Sequence, residues 1–361
     1  MVKKLILLSM FVVPLILFST VYARERQGDV TFQVTIEAPE ESKDVRLWVP
    51  YPVSNKEQTI EDVKINGNFT KSSIRDQRKE GDRGIYAEWT KPSKERTLTL
   101  FFRAKAIERV KRDFPSKESV MTAEIKKYTL GSALMPTDGK IKEIADKITK
   151  DKKTIKDKAM AVYDWVVENT FRDPDVKGCG TGDVDRILSE KGGKCADISG
   201  IFVAIARSAG VPAREVWGLR LGKKHDPEED ITGGHHCWAE FYQPGYGWVP
   251  VDPADVRKAM LTENLDLKAA QKYRDYYFGA VDEYRIALTR GEKGYTLNPS
   301  QKAGPIPYGF MYPYAEIDGK AVEWLAAQKE LKYKITFKET GNPATTKTAP
   351  DSGGGLSKHV K

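Results

Sequence analysis

A cysteine placed directly behind two glycines, at the mouth of an apolar helix, constrains this chain more than any other feature. The run is Gly192-Gly193-Lys194-Cys195, followed by Ile198, Ile201, Phe202, Ile205, Ala206 and Ala209 at helical spacing, and it is stopped by Gly210-Val211-Pro212. Cys195 therefore falls at a helix N-terminus, where unpaired backbone N–H groups and the macrodipole favour a thiolate over a thiol. The two glycines allow a sharp turn and a close backbone approach. The same N–H groups, that of Cys195 first, can face a developing oxyanion. A buried structural cysteine more usually lies mid-helix on the apolar face.

The next segment supplies a base. His236-Cys237-Trp238-Ala239-Glu240-Phe241-Tyr242 reads as a strand. Period two puts His236, Trp238 and Glu240 on one face and Cys237, Ala239 and Phe241 on the other, so Cys237 is expected in the core, pointing away from His236. The strand Trp248–Val251 follows, and Pro253 blocks its extension. If the two strands pair antiparallel through Gln243–Gly247, Asp252 returns toward His236 and can fix its tautomer, leaving the other ring nitrogen to Cys195. These are the parts of a Cys-His-Asp nucleophilic site in chain order. At the level of single residues, His235 remains a rival base and Asp255 a rival acid. Of the chain's four histidines, His225 lies in an acidic loop and His359 in the tail.

The three cysteines are Cys179, Cys195 and Cys237, an odd number that leaves at least one without an intramolecular disulfide partner. They lack the spacing of a zinc site and contain no C-x-x-C, so no metal or other cofactor is expected. Cys179 sits in the loop Gly178–Gly182, whose three glycines could cradle an anion. No Lys-Ser/Thr follows, so this is not a phosphate-binding P-loop. A reversible Cys179–Cys195 bridge and a free Cys179 buried beside the site are the two expectations for that residue.

Lys3-Lys4, an apolar run from Leu5 to Phe18 and the small-residue pattern ending at Ala23 read as a secretory leader, residues 1–23. The run is short for a membrane span of about 20 residues. The mature chain is expected to be exported, periplasmic or secreted, with no stable membrane anchor. The net charge of +8 is spread along the sequence and no aromatic-basic nucleic-acid motif accompanies it, so nucleic acid is excluded as the expected partner. A protein or peptide substrate, including a cell-envelope component, is expected instead.

Residues 24–112 carry period-two strands: Val30, Phe32, Val34 and Ile36; Val45, Leu47 and Val49; Leu98, Leu100 and Phe102. They read as a small β-sandwich-like domain. Helical spacing takes over at Ile141–Ile148 and again at Ile155–Val166, with Thr154 as N-cap. A short helix is expected at Asp183–Leu188 and a longer one at Leu265–Phe278, with strands at Arg285–Thr289 and Lys332–Phe337. The segment Pro305–Tyr314 alternates Tyr308, Phe310, Tyr312 and Tyr314, so that one aromatic face could wall a cleft. The Gly/Ser/Thr/Pro/Lys-rich residues 341–361 read as a disordered tail.

The stretches GGKCADISGIFVAIARSAGVPARE, HHCWAEFYQPGYGW and VPVDPAD together resemble the transglutaminase-like superfamily, a circle that includes transglutaminases and some papain-like peptidases and amidases. The resemblance covers Thr154 to Asp255. It implies an α+β fold: a papain-like/transglutaminase-like core, with a Cys-bearing helix packed on an antiparallel sheet, behind the β-domain and occupying residues 113–340. It implies Cys195 as nucleophile, His236 as base in preference to His235, and Asp252 as orienting acid. The implied activity is acyl transfer through a thioester, resolved by an amine or by water; a non-catalytic binding module on the same fold is the other reading. Lys194-Cys195-Ala196 departs from the Gln-Cys-Trp of animal transglutaminases, and there is no calcium-loop pattern.

Overall fold

The computed structural model describes residues 23–77, 81–224, 228–291, 293–322 and 330–340. The leader before Ala23, the tail from residue 341 and His225 lie outside the described residues.

The β-layer consists of two five-stranded antiparallel sheets. In the first, Glu25–Ile36 lies between Arg96–Ile107 and Leu331–Glu339, with Val30 opposite both Phe102 and Phe337, and Phe32 opposite Leu100 and Ile335. In the second, Val45–Tyr51 lies between Arg83–Trp89 and Tyr314–Ile317. Alternate residues along Glu25–Ile36 and Arg96–Ile107 are buried, as period two requires of strands with one face on a core. Both sheets thus take a strand from the C-terminal end of the chain. The short strand Glu229–Asp230 also pairs with Leu331–Glu339, tying the loop before the His236 strand to this layer.

The second layer is an antiparallel sheet in the order Gly247–Val251, His235–Gln243, Ala213–Arg220, Arg285–Gly291. The helix Cys195–Ser208 packs on its His235–Gln243 strand, and the helices Gly139–Thr149 and Ile155–Asn169 pack on that helix. Every residue from Cys195 to Arg207 is buried. A helix buried along its whole length sits at the centre of a core, and this one, mainly apolar, does so. Truncating Phe202 there would cost about 3–5 kcal/mol. Thr154 caps its helix as expected, its hydroxyl accepting the Asp157 N–H at 3.0 Å.

Two helices differ from the sequence expectation. Leu265–Phe278 is helical only over Gln271–Tyr277, because the Asp266 carboxylate accepts the Ala269 N–H at 2.7 Å and closes a turn first. A helix at Pro253–Thr262 is an addition to the elements expected from the sequence; Asp252 is its N-cap and Pro253 its first residue, the arrangement that suits a missing N–H.

Candidate active site

Cys195 is the first residue of its helix and 2 % exposed. What holds that helix end in place is Asp197, two residues on. Its carboxylate accepts the N–H of Lys194 at 2.9 Å and of Gly182 at 2.8 Å, and pairs with Arg186 at 2.7 Å. The glycine loop does cradle an anion, and that anion is the chain's own Asp197. A Cβ on Gly180, which has φ +86°, would lie 1.9 Å from the Asp197 carboxylate, so only glycine fits. The loop is further fixed where Ala196 donates to the Cys179 carbonyl at 2.9 Å and Cys179 donates to the Tyr312 hydroxyl at 3.1 Å.

The adjacent sheet brings His236 and Asp252 together. Ala239 stands opposite Val251 across the hairpin, so the strand ends meet, and His236 Nε2 lies 2.7 Å from Asp252 Oδ2. Asp255 is farther from the same nitrogen, at 3.8 Å. With Nε2 engaged, Nδ1 is the ring nitrogen left for Cys195. Asp252 also caps the helix that follows it, its Oδ1 accepting the Asp255 N–H at 2.9 Å. Trp238 packs beside the imidazole, with ring centroids 6.0 Å apart and planes 29° from parallel.

Sequence reasoning missed what lies behind this pair. Arg285, fully buried, donates to Asp252 at 2.6 Å and to Asp255 at 3.0 Å, and also pairs with Asp282. Arg220 joins from the cleft side onto Asp255. Burial works against ionising Asp255, but the charges of Arg220, His236 and Arg285 outweigh it and hold its carboxyl well below the usual range. Nothing near Arg285 in the sequence announces this role; it is one charged residue at the start of a strand.

The three thiols form one cluster. Cys179, Cys195 and Cys237 are free and buried, with their sulfur atoms within 4.8 Å of one another. Cys237 is in the core as expected, yet its thiol abuts Cys195, because the strand face it occupies is the one the Cys195 helix packs against. Such a set of sulfur donors could hold a soft cation. The alternative set, His236, Asp252 and Asp255, is already tied to Arg285 and Arg220. Burial opposes ionising Cys195, but hydrogen bonds from Cys179 and Cys237, with the hydrogen bond and charge of His236, hold its thiol well below the ordinary value. The hydrogen bond to Cys195 raises Cys179, and burial raises Cys237. These opposite directions favour Cys195 as the nucleophile among the three.

His235 lies on a different footing. Burial pushes its pKa down to about 3, against an opposing pull from Cys195, so it is neutral. It packs on Tyr312 with ring centroids 4.3 Å apart, and neither ring nitrogen has a hydrogen-bond partner among the described residues. Cys195, His235 and His236 line a cleft of about 400 Å³ together with Tyr312 and Tyr333. Of the alternating aromatics only Tyr312 reaches this cleft: Phe310 packs on Tyr295, Tyr314 packs on Trp48, and Tyr308 borders a separate pocket.

The fold and the Cys-His-Asp cluster are those of a cysteine enzyme. Residues 142–253 match the family model described as the transglutaminase-like superfamily. An uncharacterized protein of Haemophilus influenzae is 33% identical over 319 residues, covering 81% of this chain and 86% of that one. A protein-glutamine gamma-glutamyltransferase of Pseudomonas aeruginosa is 37% identical over 73 residues, 19% of this chain and 11% of that longer protein. A crystal structure from Cytophaga hutchinsonii, provisionally described as a cysteine protease, superposes with a TM-score of 0.56 at 14% identity, covering 88% of this chain and 93% of that one, and shows a shared fold. The chain belongs to the transglutaminase-like superfamily.

Proposed function

We propose that this protein is an exported cysteine acyltransferase acting on carboxamide side chains or peptide bonds, with Cys195 as nucleophile, His236 as acid and base, and Asp252 as the residue that orients His236. The observation that carries the reading is the 2.7 Å contact of His236 Nε2 with buried Asp252, beside a Cys195 whose thiol is held well below its ordinary pKa. The Cys195 thiolate attacks the carbonyl carbon, and the carbonyl electron pair moves onto oxygen at the helix N-terminus. As that pair returns, the C–N bond breaks and the leaving amine takes the proton from His236, giving a thioester. An incoming amine then gives its proton to His236 as it attacks the thioester carbon, and the Cys195 thiolate departs.

Water in place of the amine makes the same site a hydrolase. Export rests on the leader-like residues 1–23; among the described residues no helix is long and apolar enough to cross a membrane. The test supplies a glutamine-containing peptide with a fluorescent primary amine. Ammonia release with amine incorporation supports acyl transfer, ammonia alone a deamidase, and backbone cleavage a peptidase. No product, with Cys195 reduced and accessible, overturns the enzymatic reading in favour of a binding module.

A further inference from the structure

Four cations from four different elements converge on the Cys195 cleft. Arg172 follows the helix Ile155–Asn169, Lys194 precedes Cys195, Arg220 ends its strand, and Lys258 lies on the helix capped by Asp252. All four are half-buried, and no aspartate or glutamate lines this cleft among the described residues. Arg220 is paired from behind with Asp255. Arg172, Lys194 and Lys258 have no ion pair among the described residues, although the chain as a whole is nearly balanced, with 59 Lys and Arg against 51 Asp and Glu.

Half-buried like charges held together without counter-charges raise the free energy of the empty site, and an arriving anion removes that cost. The repulsion and the burial act on the groups' own ionisation. The charge of Arg220, then burial, lowers the Lys258 ammonium to about 8, and burial followed by the charge of Arg172 lowers Lys194. His235 adds an uncharged imidazole with both nitrogens unpartnered, able to donate to or accept from a bound ligand. A cleft of about 400 Å³ admits a few residues of an extended chain rather than a folded surface. Since Cys195 and His236 line the same space, the anion must sit close to the reacting carbonyl.

We infer that the acyl donor of this enzyme is a short peptide segment carrying an anionic group, a carboxylate or a phosphate, beside the reacting carbonyl, held by Arg172, Lys194, Arg220 and Lys258. The inference rests on the proposed site and names its substrate class. Arginine forks meet two oxygens of either anion at once, while the lysines contribute point charges. A neutral donor leaves the cations unpaired and forfeits that gain, and a basic donor is repelled.

Binding separates this from the chemistry. Fluorescence anisotropy on the Cys195→Ala protein would use fluorescein-labelled pentapeptides with a central glutamine flanked by glutamate, phosphoserine, glutamine or lysine. The glutamate or phosphoserine peptide is expected to bind about tenfold or more tightly than the neutral one, with affinity falling as salt rises, and the lysine peptide weakest. The tighter of the two anionic peptides identifies the anion. Arg172→Gln with Lys258→Gln should abolish the preference, while Lys258→Arg keeps it and controls for folding. Equal affinity for acidic and neutral peptides, no binding of any, or a preference untouched by the double substitution overturns the inference. Brief iodoacetamide labelling of the unsubstituted protein tests the proposed function on its own: an unreactive Cys195 removes the nucleophile whatever the peptides do.

Discussion

Behind the His236 imidazole, Asp252, Asp255 and Asp282 share Arg285, and Arg220 reaches Asp255 from the side. In front of it, Arg172, Lys194 and Lys258 face the cleft without a carboxylate among the described residues. The rear charges are buried, paired and fixed, so they set geometry; the front charges are half-buried and unpaired, so they are open to a ligand. The same residue types serve opposite ends, and the difference lies in whether the counter-charge is built into the fold. Removing a rear group should therefore cost catalysis and stability, and removing a front cation should cost neither the fold nor the nucleophile.

The largest effect should come from Asp252→Asn. The amide oxygen still caps the helix that begins at Pro253, so the cap itself accounts for less than about 1 kcal/mol of the stability lost, and the remainder reports the broken charge pair with Arg285. The charge that orients and stabilises the imidazolium is lost, and turnover in the ammonia-release assay should fall about 10³–10⁴-fold. An activity within a few-fold of the original protein would dissolve the distinction between rear and front. Next comes Arg285→Met, which removes the cation that three buried carboxylates share; urea titration should report about 3–5 kcal/mol of lost stability. On the front side, Lys258→Gln removes a repelled cation, and the urea midpoint should stay level or rise, within about 1 kcal/mol. A loss as large as that of Arg285→Met would mean that the front charges are structural after all.

The effect that is smallest at neutral pH, and grows only as the pH falls, sharpens the contrast between the two neighbouring histidines. The folded pKa of His235 is depressed to about 3 by burial, below an unfolded value of about 6.5. The unfolded chain therefore binds more protons between these values, and the contribution of the neutral ring to stability is complete above about pH 6.5 and lost as the pH falls toward 3. In that window His235→Phe, which preserves the packing on Tyr312, should lose stability less steeply than the original protein, by up to about 1.4 kcal/mol per pH unit. Identical pH–stability slopes would show that His235 is not held neutral by the fold.

The site's centre was legible because each of its parts has a local sequence pattern: two glycines before Cys195, alternation around His236, and a proline after Asp252. The helix at Pro253–Thr262 is legible in principle, since Asp-Pro is an N-cap followed by a first-turn proline, but the same proline also stops the preceding strand, and that signal masks the helix start. Other features depend on contacts between residues far apart in sequence. The strand Leu331–Glu339 looks like any amphipathic strand, and nothing in it names Glu25–Ile36 as its neighbour. The meeting of Cys179, Cys195 and Cys237 has no spacing rule, because it is made by a loop, a helix end and a strand packing together. The cationic cleft is likewise a convergence in space, hidden in a sequence whose charge is spread evenly.

The central claim is that the fold selects one thiol of three as the nucleophile and that His236, paired with Asp252, contributes to that selection. Its most direct measurement is peptide mapping after brief iodoacetamide treatment across pH 5–9, on the original protein and on His236→Ala. The account predicts that Cys195 is carboxamidomethylated first at pH 7, ahead of Cys179 and Cys237, and that loss of His236 moves the onset of its labelling to higher pH. Labelling of Cys179 or Cys237 before Cys195, or a Cys195 profile unmoved by His236→Ala, would contradict it.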